Sequence, residues 1–355
     1  MTSFRKLSTG WEYRISYKDS GGNYRRKAGK GYRTKVEATQ AAAKMEIALL
    51  HPEELAKEIS LADFVEQWAE IYKKPHVTMR TWAKYETEIR NVRKYFGDLP
   101  ISKITRIKYQ QVFNEMSTQF AQQTLKNLHQ PIKSAVKVAI RDHVLKEDFT
   151  DGAVIKSSVD SMPVSHKFLE QDEYLHVIEA TECRLETPSY FLIYFISVTG
   201  MRFAEALGVT WDDIDFNSKV LHVRKSWDWQ FTHDFKPTKN KSSVRDIPLS
   251  DKTCKLLLEY QSNSWKNDKT NRVAVEVSSN GANKVLRKLV GRQVHLHSLR
   301  HTYASYLIAQ GVDLMSISRV LGHKDLTITL EVYAHQLDSL KEKSHDEVRN
   351  IFNKI

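Results

Sequence analysis

Cysteine is scarce in this chain of 355 residues, which contains only Cys183 and Cys254. Two cysteines exclude a disulfide scaffold and a zinc site built from four thiolates. Long apolar runs are missing too, because the longest, from Tyr190 to Thr199, falls far short of the ~20 residues that a membrane span needs. The first residues also lack the apolar core of a signal peptide. We therefore expect a cytoplasmic protein without membrane attachment.

Internal repeats and low-complexity segments are absent as well, and the composition is that of an ordinary folded protein. Hydrophobic residues make up 41% and charged residues 27% of the chain, which excludes a disordered or collagen-like protein. At roughly 150 residues per domain, the length predicts two or three domains.

Acidic residues are outnumbered, with 54 Lys and Arg against 43 Asp and Glu, so the net charge is +11. The surplus is concentrated near the N-terminus. Residues 22–35 contain no acid and six basic side chains, with Tyr24 and Tyr32 between them: Arg25, Arg26, Lys27, Lys30, Arg33 and Lys35. A basic surface indicates a polyanionic partner, and we expect these six residues to bind DNA. The alternative is a solvated basic face without a partner.

Periodicity predicts a small sheet and a helix in this basic region. Residues 11–17 alternate like a half-buried strand, and Asn23–Lys27 follows a glycine-containing turn as its partner. Thr34 and Glu37 form a capping box at the start of a helix that runs to Leu50.

Three domains are predicted from the change of pattern along the chain. Helical spacing of apolar residues extends over residues 60–145, and mixed helix and strand patterns begin at His166. In the mixed region, Phe203–Val209 is a predicted helix, and Val220–Ser226 and Val244–Leu249 are predicted strands beside a lysine-rich turn. The predicted domains are 1–55, a basic sheet with a helix; 58–150, all helical; and 165–355, mixed, with a C-terminal tail.

Four segments of the third domain carry polar residues in positions that suit chemistry. The first places an arginine after a glycine turn at the start of a helix, and the second places a histidine and an arginine one turn apart at the start of another helix. The third places a histidine after a helix that ends on glycine. The fourth places a tyrosine ten residues after that histidine. The segments are Thr199-Gly200-Met201-Arg202, His297-Ser298-Leu299-Arg300, Leu321-Gly322-His323 and Val332-Tyr333. Each alone has a structural explanation such as capping or packing, so the evidence lies in the combination.

In this order and spacing, the segments resemble the tyrosine recombinase family, the integrases of temperate phages and integrative mobile elements. The resemblance covers residues 166–340 closely. The helical domain resembles the family only in position, size and pattern, and the basic sheet resembles the arm-site-binding domain of some of these integrases. The resemblance implies a multidomain, mostly α protein with small β-sheets, a SAM-like core-site DNA-binding domain and an α+β catalytic domain with the DNA breaking-rejoining fold.

The resemblance also implies a catalytic set consisting of Arg202, a hairpin lysine, His297, Arg300, His323 and the nucleophile Tyr333. A tyrosine that attacks phosphorus keeps the energy of the phosphodiester in a 3′-phosphotyrosyl bond. Guanidinium groups suit the charge on the non-bridging oxygens, a lysine suits the leaving oxygen, and histidines transfer protons near neutral pH. Fixed cations replace metal ions in such a site, so we expect neither a metal nor a cofactor.

In the family, the catalytic lysine precedes a strand with a recognisable sequence motif, which is Arg245-Asp246-Ile247-Pro248-Leu249 in this chain. Lys239 matches the first lysine of the family's Lys-Thr-Lys-Ser-Ser word, although Asn240 replaces the threonine. We therefore expect Lys239 to be catalytic, with Lys241 as the rival and Lys236 as a more remote alternative.

Histidines near the second arginine invite a metal-binding interpretation. His297 and His301 are four residues apart on a predicted helix, and His295 is close to them. No carboxylate or cysteine stands nearby in the sequence to complete a zinc site, and Arg300 would place a permanent charge beside the ion. We therefore expect no metal there.

Acidic residues have a structural interpretation in this family. Asp212-Asp213-Ile214-Asp215 resembles the turn that leads into the lysine hairpin, which is favoured over a metal-dependent nuclease site. Glu205 and Asp325 are expected to orient an arginine or a histidine.

The sequence thus predicts a site-specific DNA integrase that integrates, and with helper proteins excises, a mobile element or prophage in a bacterial host. Its expected partners are double-stranded attachment DNA at core and arm sites, accessory DNA-bending and excision proteins, and further copies of itself in a homotetramer on paired sites. The alternatives are a non-catalytic DNA-binding protein of the same fold and strand relaxation of the type IB topoisomerase kind. An apolar stripe in the tail predicts a helix docked on its own domain or on a neighbouring protomer: Val348, Ile351, Phe352 and Ile355.

Overall fold

The computed structural model describes residues 2–18, 24–50, 59–160, 168–266 and 269–323. The predicted nucleophile Tyr333, the predicted orienting residue Asp325 and the predicted tail helix lie outside these residues. The chain divides into two compact units, Met1–Ser161 and Met162–Ile355. Helices dominate and the sheets are small, as predicted.

A three-stranded antiparallel sheet opens the first unit. Its strands, in sheet order, are β1 (Thr2–Leu7), β2 (Gly10–Lys18) and β3 (Tyr24–Tyr32), and helix α1 (Lys35–Leu50) follows. Tyr13 and Ile15 of β2 pack with Ala42 of α1 in a small core. Strand β1 was not predicted, because its pairing with β2 and not its own weakly apolar sequence makes it a strand.

Four helices follow among the described residues of this unit: α2 (Leu61–Tyr72), α3 (Met79–Phe96), α4 (Arg106–Ser117) and α5 (Gln122–Arg141). Ser60 and Thr78 accept hydrogen bonds from the third backbone N–H of α2 and α3, so both helix starts are capped. Their shared core is a cluster separate from that of the sheet. At its centre the Tyr109 hydroxyl lies 2.9 Å from Nδ1 of the buried His129.

The second unit packs seven helices, among the residues described, around two small sheets. The helices are α6 (Gln171–Glu182), α7 (Pro188–Thr199), α8 (Phe203–Ala206), α9 (Asp251–Asn263), α10 (Ser279–Val290), α11 (Leu296–Ala309) and α12 (Leu314–Leu321). The strands are β4 (Ile214–Asp215), β5 (Val220–Val223), β6 (Lys225–Trp227), β7 (Phe235–Pro237) and β8 (Arg245–Pro248).

Helix α7 is the centre of this unit. Its residues from Phe191 to Ser197 are all buried, which explains why the longest apolar run of the chain shows no polar face. Within the described ranges, no helix combines the length and the apolar character that crossing a membrane would require.

Two predicted elements of this unit are shorter than expected. The predicted strand Val220–Ser226 breaks at Arg224, so that β5 pairs with β4 and β8 while β6 pairs only with β7. The predicted helix Phe203–Val209 ends at Ala206. Gly208, two residues after the end of this helix, lies against β6, because an added Cβ there would lie 2.7 Å from the Ser226 backbone. The chain turns there because only glycine permits this approach.

Candidate active site

The turn between α7 and α8 places Arg202. Helix α7 ends on Gly200 in the left-handed conformation (φ 64°), where an added Cβ would also lie 2.5 Å from the Tyr303 ring. Two residues later, Arg202 occupies the N-cap position of α8 in an extended conformation. Its side chain is 29% exposed and so remains accessible to a ligand.

Glu205, in the first turn of α8, holds Arg202 at two points. Its Oε1 accepts a hydrogen bond from Nη1 of Arg202 at 2.6 Å, and its Oε2 accepts the Arg202 backbone N–H at 3.0 Å. The carboxylate is only 4% exposed. The prediction that Glu205 orients an arginine agrees with this geometry.

Helix α11 carries the predicted pair His297 and Arg300 in its first turns, where a spacing of three residues places them on one face. Arg300 is buried and donates from Nη1 to the Gly200 carbonyl at 2.8 Å and from Nη2 to the Leu321 carbonyl. Two of its five N–H donors are therefore committed to backbone, which sets the plane of the guanidinium. His297 meets His301 edge to face, with ring centroids 4.7 Å apart.

The end of α12 presents His323. The helix stops at Gly322, which has a left-handed conformation (φ 68°), and the backbone N–H of His323 returns to the Ser318 carbonyl at 3.1 Å. This is the helix end on glycine that the sequence predicts. Because Arg300 bonds the Leu321 carbonyl, the helix end and the second arginine are held together.

A buried arginine that the sequence analysis treated only as part of a strand word also enters this site. Arg245, the first residue of β8, has a side chain 4% exposed and donates from Nη2 to Oε2 of Glu205 at 2.9 Å. It also donates to the carbonyls of Ser243 and Val320. A long polar residue at the inward-facing position of an alternating strand is the signal that singles it out.

Burial and the concentration of cations govern the protonation of the site. Burial acts to raise the pKa of Glu205, but Arg245 and Arg202 hold it below its ordinary value, so the carboxylate is ionised. Burial and the neighbouring Arg300 and Arg202 lower the pKa of His297. The same causes lower the pKa of His323 to about 4, so both imidazoles are neutral at pH 7.

The predicted lysine lies on an exposed loop between β7 and β8. Lys239 and its rival Lys241 are both exposed, and neither side chain forms a hydrogen bond or ion pair with another described residue. Lys236 instead pairs with Asp228 at 3.4 Å within the β6–β7 hairpin, which disfavours it. The loop ends at Ser243, whose hydroxyl accepts a bond from Nη1 of Arg202 at 3.3 Å.

The acidic turn before β4 has structural partners. Asp213 pairs with Lys225 at 2.6 Å, Asp212 accepts a bond from Asn271, and Asp215 accepts the backbone N–H groups of its own turn. In the part of the chain that the structure describes, no cluster of three or more His, Cys, Asp or Glu side chains is arranged to hold a metal ion.

A second candidate site is the N-terminal sheet, whose two faces differ. The residues opposite each other in the strand pairing share a face, and Tyr13 and Ile15 define the face covered by α1. The six predicted DNA-binding residues are all exposed but do not share a face. Arg26 and Lys30 lie on the open face, Arg25 and Lys27 lie on the helix side, and Arg33 and Lys35 lie at the entry to α1.

The open face includes two arginines that the sequence analysis did not select. Arg14 of β2 lies opposite Ala28, and Arg5 of β1 lies opposite Glu12, which itself faces Lys30 across the sheet. The alternation of Tyr13 and Ile15 already indicates that Arg14 points the other way. Arg5 could not be assigned to this face from the sequence, because strand β1, which carries it, was not predicted.

Family models match three stretches of the chain. The model described as "Phage integrase family" matches residues 167–339, which include every predicted catalytic residue. "Phage integrase, N-terminal SAM-like domain" matches residues 60–117, and "Arm DNA-binding domain" matches residues 3–49.

Named relatives are similar over most of the chain. A "Tyrosine recombinase XerC-like" protein of Caldanaerobacter subterraneus subsp. tengcongensis is 25% identical over 336 residues, covering 83% of this chain and 84% of the relative. The ICEBs1 integrase of Bacillus subtilis is 23% identical over 288 residues, covering 74% of this chain and 75% of its own.

Solved structures share the fold. The Tn1549 transposon integrase in complex with a circular intermediate DNA has a TM-score of 0.64 at 18% identity, over 81% of this chain and 99% of that one. A lambda integrase dimer bound to a core site has a TM-score of 0.59 at 18% identity, over 93% of each chain. The predicted catalytic fold is therefore confirmed.

The neutral histidines predict how stability depends on pH. Their pKa values lie below the ordinary 6.5 in the folded state, so between pH 6.5 and about 4 the unfolded chain binds protons that the folded chain does not. Stability therefore falls as the pH drops through this range. We expect the melting temperature of His323→Gln to fall less between pH 7.5 and pH 5 than that of the wild type. His176→Gln, at an exposed position of α6, is the control and should keep the wild-type dependence. An equal decline in the wild type and His323→Gln would show that His323 does not cause it.

Proposed function

Because this chain belongs to the tyrosine recombinase family and catalyses site-specific recombination of DNA, we propose that it integrates a mobile element or prophage through a 3′-phosphotyrosyl intermediate. One observation carries the proposal. Arg202, His297, Arg300 and His323, which come from three separate segments, meet in one cationic site around a single ionised carboxylate. A site of this charge fits a phosphodiester.

The reaction conserves atoms and bonds without a cofactor. The Tyr333 oxygen attacks the scissile phosphorus and forms a P–O bond to it, and the bond from phosphorus to the 5′ oxygen breaks. Lys239 gives its proton to the departing 5′ oxygen, and a neutral histidine, His297 or His323, accepts the tyrosine proton. Attack by a 5′ hydroxyl of the partner strand reverses each transfer and rejoins the DNA.

The arginines stabilise the charge that develops at phosphorus. Arg202 is held by Glu205 and stays partly exposed, and Arg300 is fixed through the Gly200 and Leu321 carbonyls. Because these groups are fixed before DNA binds, they need little reorganisation during the reaction. The fixed cations supply the positive charge that a metal supplies in other phosphoryl-transfer sites.

We also propose the division into an arm-binding domain at 1–55, a core-binding domain at 58–150 and a catalytic domain at 165–355. The separate apolar clusters of the sheet and of the four-helix segment support the first boundary. The separation of the three matched family models supports both boundaries.

DNA is the partner of this protein, and we propose that it also assembles with further copies of itself and with accessory proteins. The "lambda integrase tetramer bound to a Holliday junction" supports a homotetramer on paired core sites for this chain as well. Accessory bending and excision proteins would direct the choice between integration and excision. We place the reaction in the cytoplasm of a bacterial host, on its DNA.

Replacing the nucleophile tests the chemistry directly. Tyr333→Phe deletes one oxygen and no charge, so we expect loss of the covalent adduct on a nicked attachment-core duplex and an affinity for that duplex close to that of the wild type. Denaturing gel electrophoresis measures the adduct, and a mobility-shift assay measures binding. An adduct that persists in this variant would assign the attack to another tyrosine.

The lysine assignment has a matched control on the same exposed loop. We expect Lys239→Ala to cleave about 100-fold more slowly than the wild type and Lys241→Ala to cleave nearly normally. A 5′-phosphorothiolate at the scissile position leaves as a thiolate without a proton, so it should restore Lys239→Ala. Single-turnover rates on both substrates decide the matter, and the reverse ranking would transfer the role to Lys241.

The two faces of the N-terminal sheet predict different effects on arm binding. The double variant Arg26→Ala, Lys30→Ala removes two basic side chains from the open face, where Arg5 and Arg14 remain. It should weaken binding to DNA from the flanks of the attachment core by about tenfold to 100-fold. Arg25→Ala, Lys27→Ala removes the same charge from the helix side and should weaken it much less. Binding to the core duplex, measured in parallel, should be unchanged in both. Equal losses of flank binding would mean that net charge, and not the open face, is recognised.

A further inference from the structure

Arg245 lies where three segments of the active site meet. Its side chain is 4% exposed and contacts α8 through Glu205, the lysine loop through the Ser243 carbonyl and the end of α12 through the Val320 carbonyl.

The first contact divides one carboxylate between two cations. Oε1 of Glu205 faces Arg202 at 2.6 Å and Oε2 faces Arg245 at 2.9 Å. If Glu205 paired with Arg202 alone, the two charges would cancel and the exposed guanidinium would attract a phosphate less strongly. Because Arg245 shares the carboxylate, the group formed by Arg202, Arg245 and Glu205 keeps a net charge of +1. Arg202 is the most exposed of the three.

The second and third contacts fix the backbone on both sides of the site. Nη1 of Arg245 donates to the Ser243 carbonyl at 3.0 Å, at the end of the loop that carries Lys239. Its Nε donates to the Val320 carbonyl, three residues before His323. Gly322 fits against the same side chain, because an added Cβ would lie 2.9 Å from Cδ of Arg245 and 2.9 Å from the Ser242 carbonyl.

We propose that Arg245 is a positioning residue of the recombinase: it aligns the lysine loop and the His323 segment with Arg202 and keeps Arg202 charged toward the scissile phosphate. The inference rests on the proposed function, because it assigns the leaving-group proton to the loop that Arg245 anchors. A planar fork is required for this role, since a lysine in its place would supply the charge but not three directed bonds.

The structure offers a second arginine–glutamate ion pair, formed by residues that are not among the predicted catalytic residues. Arg292 pairs with Glu173 at 2.5 Å, and both side chains are partly buried. Arg292 also donates a hydrogen bond to the Phe168 carbonyl, within the same unit. Arg292→Gln therefore controls for the general cost of removing an arginine ion pair.

The experiment compares Arg245→Gln, Arg245→Lys and Arg292→Gln in the full chain. The readouts are the melting temperature, binding to the nicked attachment-core duplex, and single-turnover cleavage of that duplex with a phosphodiester or a 5′-phosphorothiolate at the scissile position. We expect both Arg245 variants to cleave the phosphodiester about 100-fold more slowly while still binding the duplex. The phosphorothiolate should recover at least about tenfold of this loss, because it no longer needs the misplaced lysine. Arg292→Gln should show neither effect.

A defect of equal size on both substrates would overturn the proposal, and so would normal cleavage by Arg245→Lys. If Arg245→Gln fails to fold, Arg245→Lys carries the comparison, because it keeps a cation beside Glu205. Lys239→Ala and Lys241→Ala in parallel separate this failure from that of the proposed function. If the phosphorothiolate rescues neither lysine variant, the loop does not supply the proton. If it rescues one of them but not the Arg245 variants, only the positioning role is wrong.

Discussion

The organisation of the active site depends on one buried carboxylate. Glu205 is the only acid, among the residues described, that contacts Arg202 and Arg245, and it bonds both while almost fully buried. The buried Arg245 and the partly exposed Arg202 repel one another and lose hydration, so an ionised partner is needed to hold them together. Removing one member of such a buried pair typically costs about 3–5 kcal/mol. The same carboxylate also bonds the Arg202 backbone, so the electrostatic requirement and the course of the chain into α8 are satisfied together.

Two glycines let the backbone serve the arginines. Gly200 turns the chain after α7 and offers its carbonyl to Arg300, and Gly322 ends α12 against the Arg245 side chain. Each has a left-handed conformation and a close neighbour, so a side chain would be strained in both respects. The site is therefore held by main-chain carbonyls and a single acid. Burial and the neighbouring arginines keep the histidines neutral and able to accept protons.

Which features of the fold and of the site can be predicted from the sequence depends on how far apart along the chain the interacting residues lie. Caps such as Ser60 and Thr78 act within three residues, so their helices begin where the sequence indicates. The sequence motifs that carry the predicted catalytic residues also lie at helix termini, and local signals in the sequence mark those termini. Arg245 and Glu205 are 40 residues apart, and strand β1 exists through its pairing with β2, so neither can be read from spacing. The choice of Lys239 over Lys241 rests on the match to the family's sequence motif, since both lysines are exposed.

The bonds from Arg300 to Leu321 and from Arg245 to Val320 have a consequence for biosynthesis. Chains emerge from the ribosome from the N-terminus, and domains fold in that order. The two arginines are translated well before the carbonyls that fix them, and the tyrosine assigned as nucleophile comes later still. A nascent or prematurely terminated chain can therefore complete its sheet and its four-helix segment while its catalytic centre is unassembled.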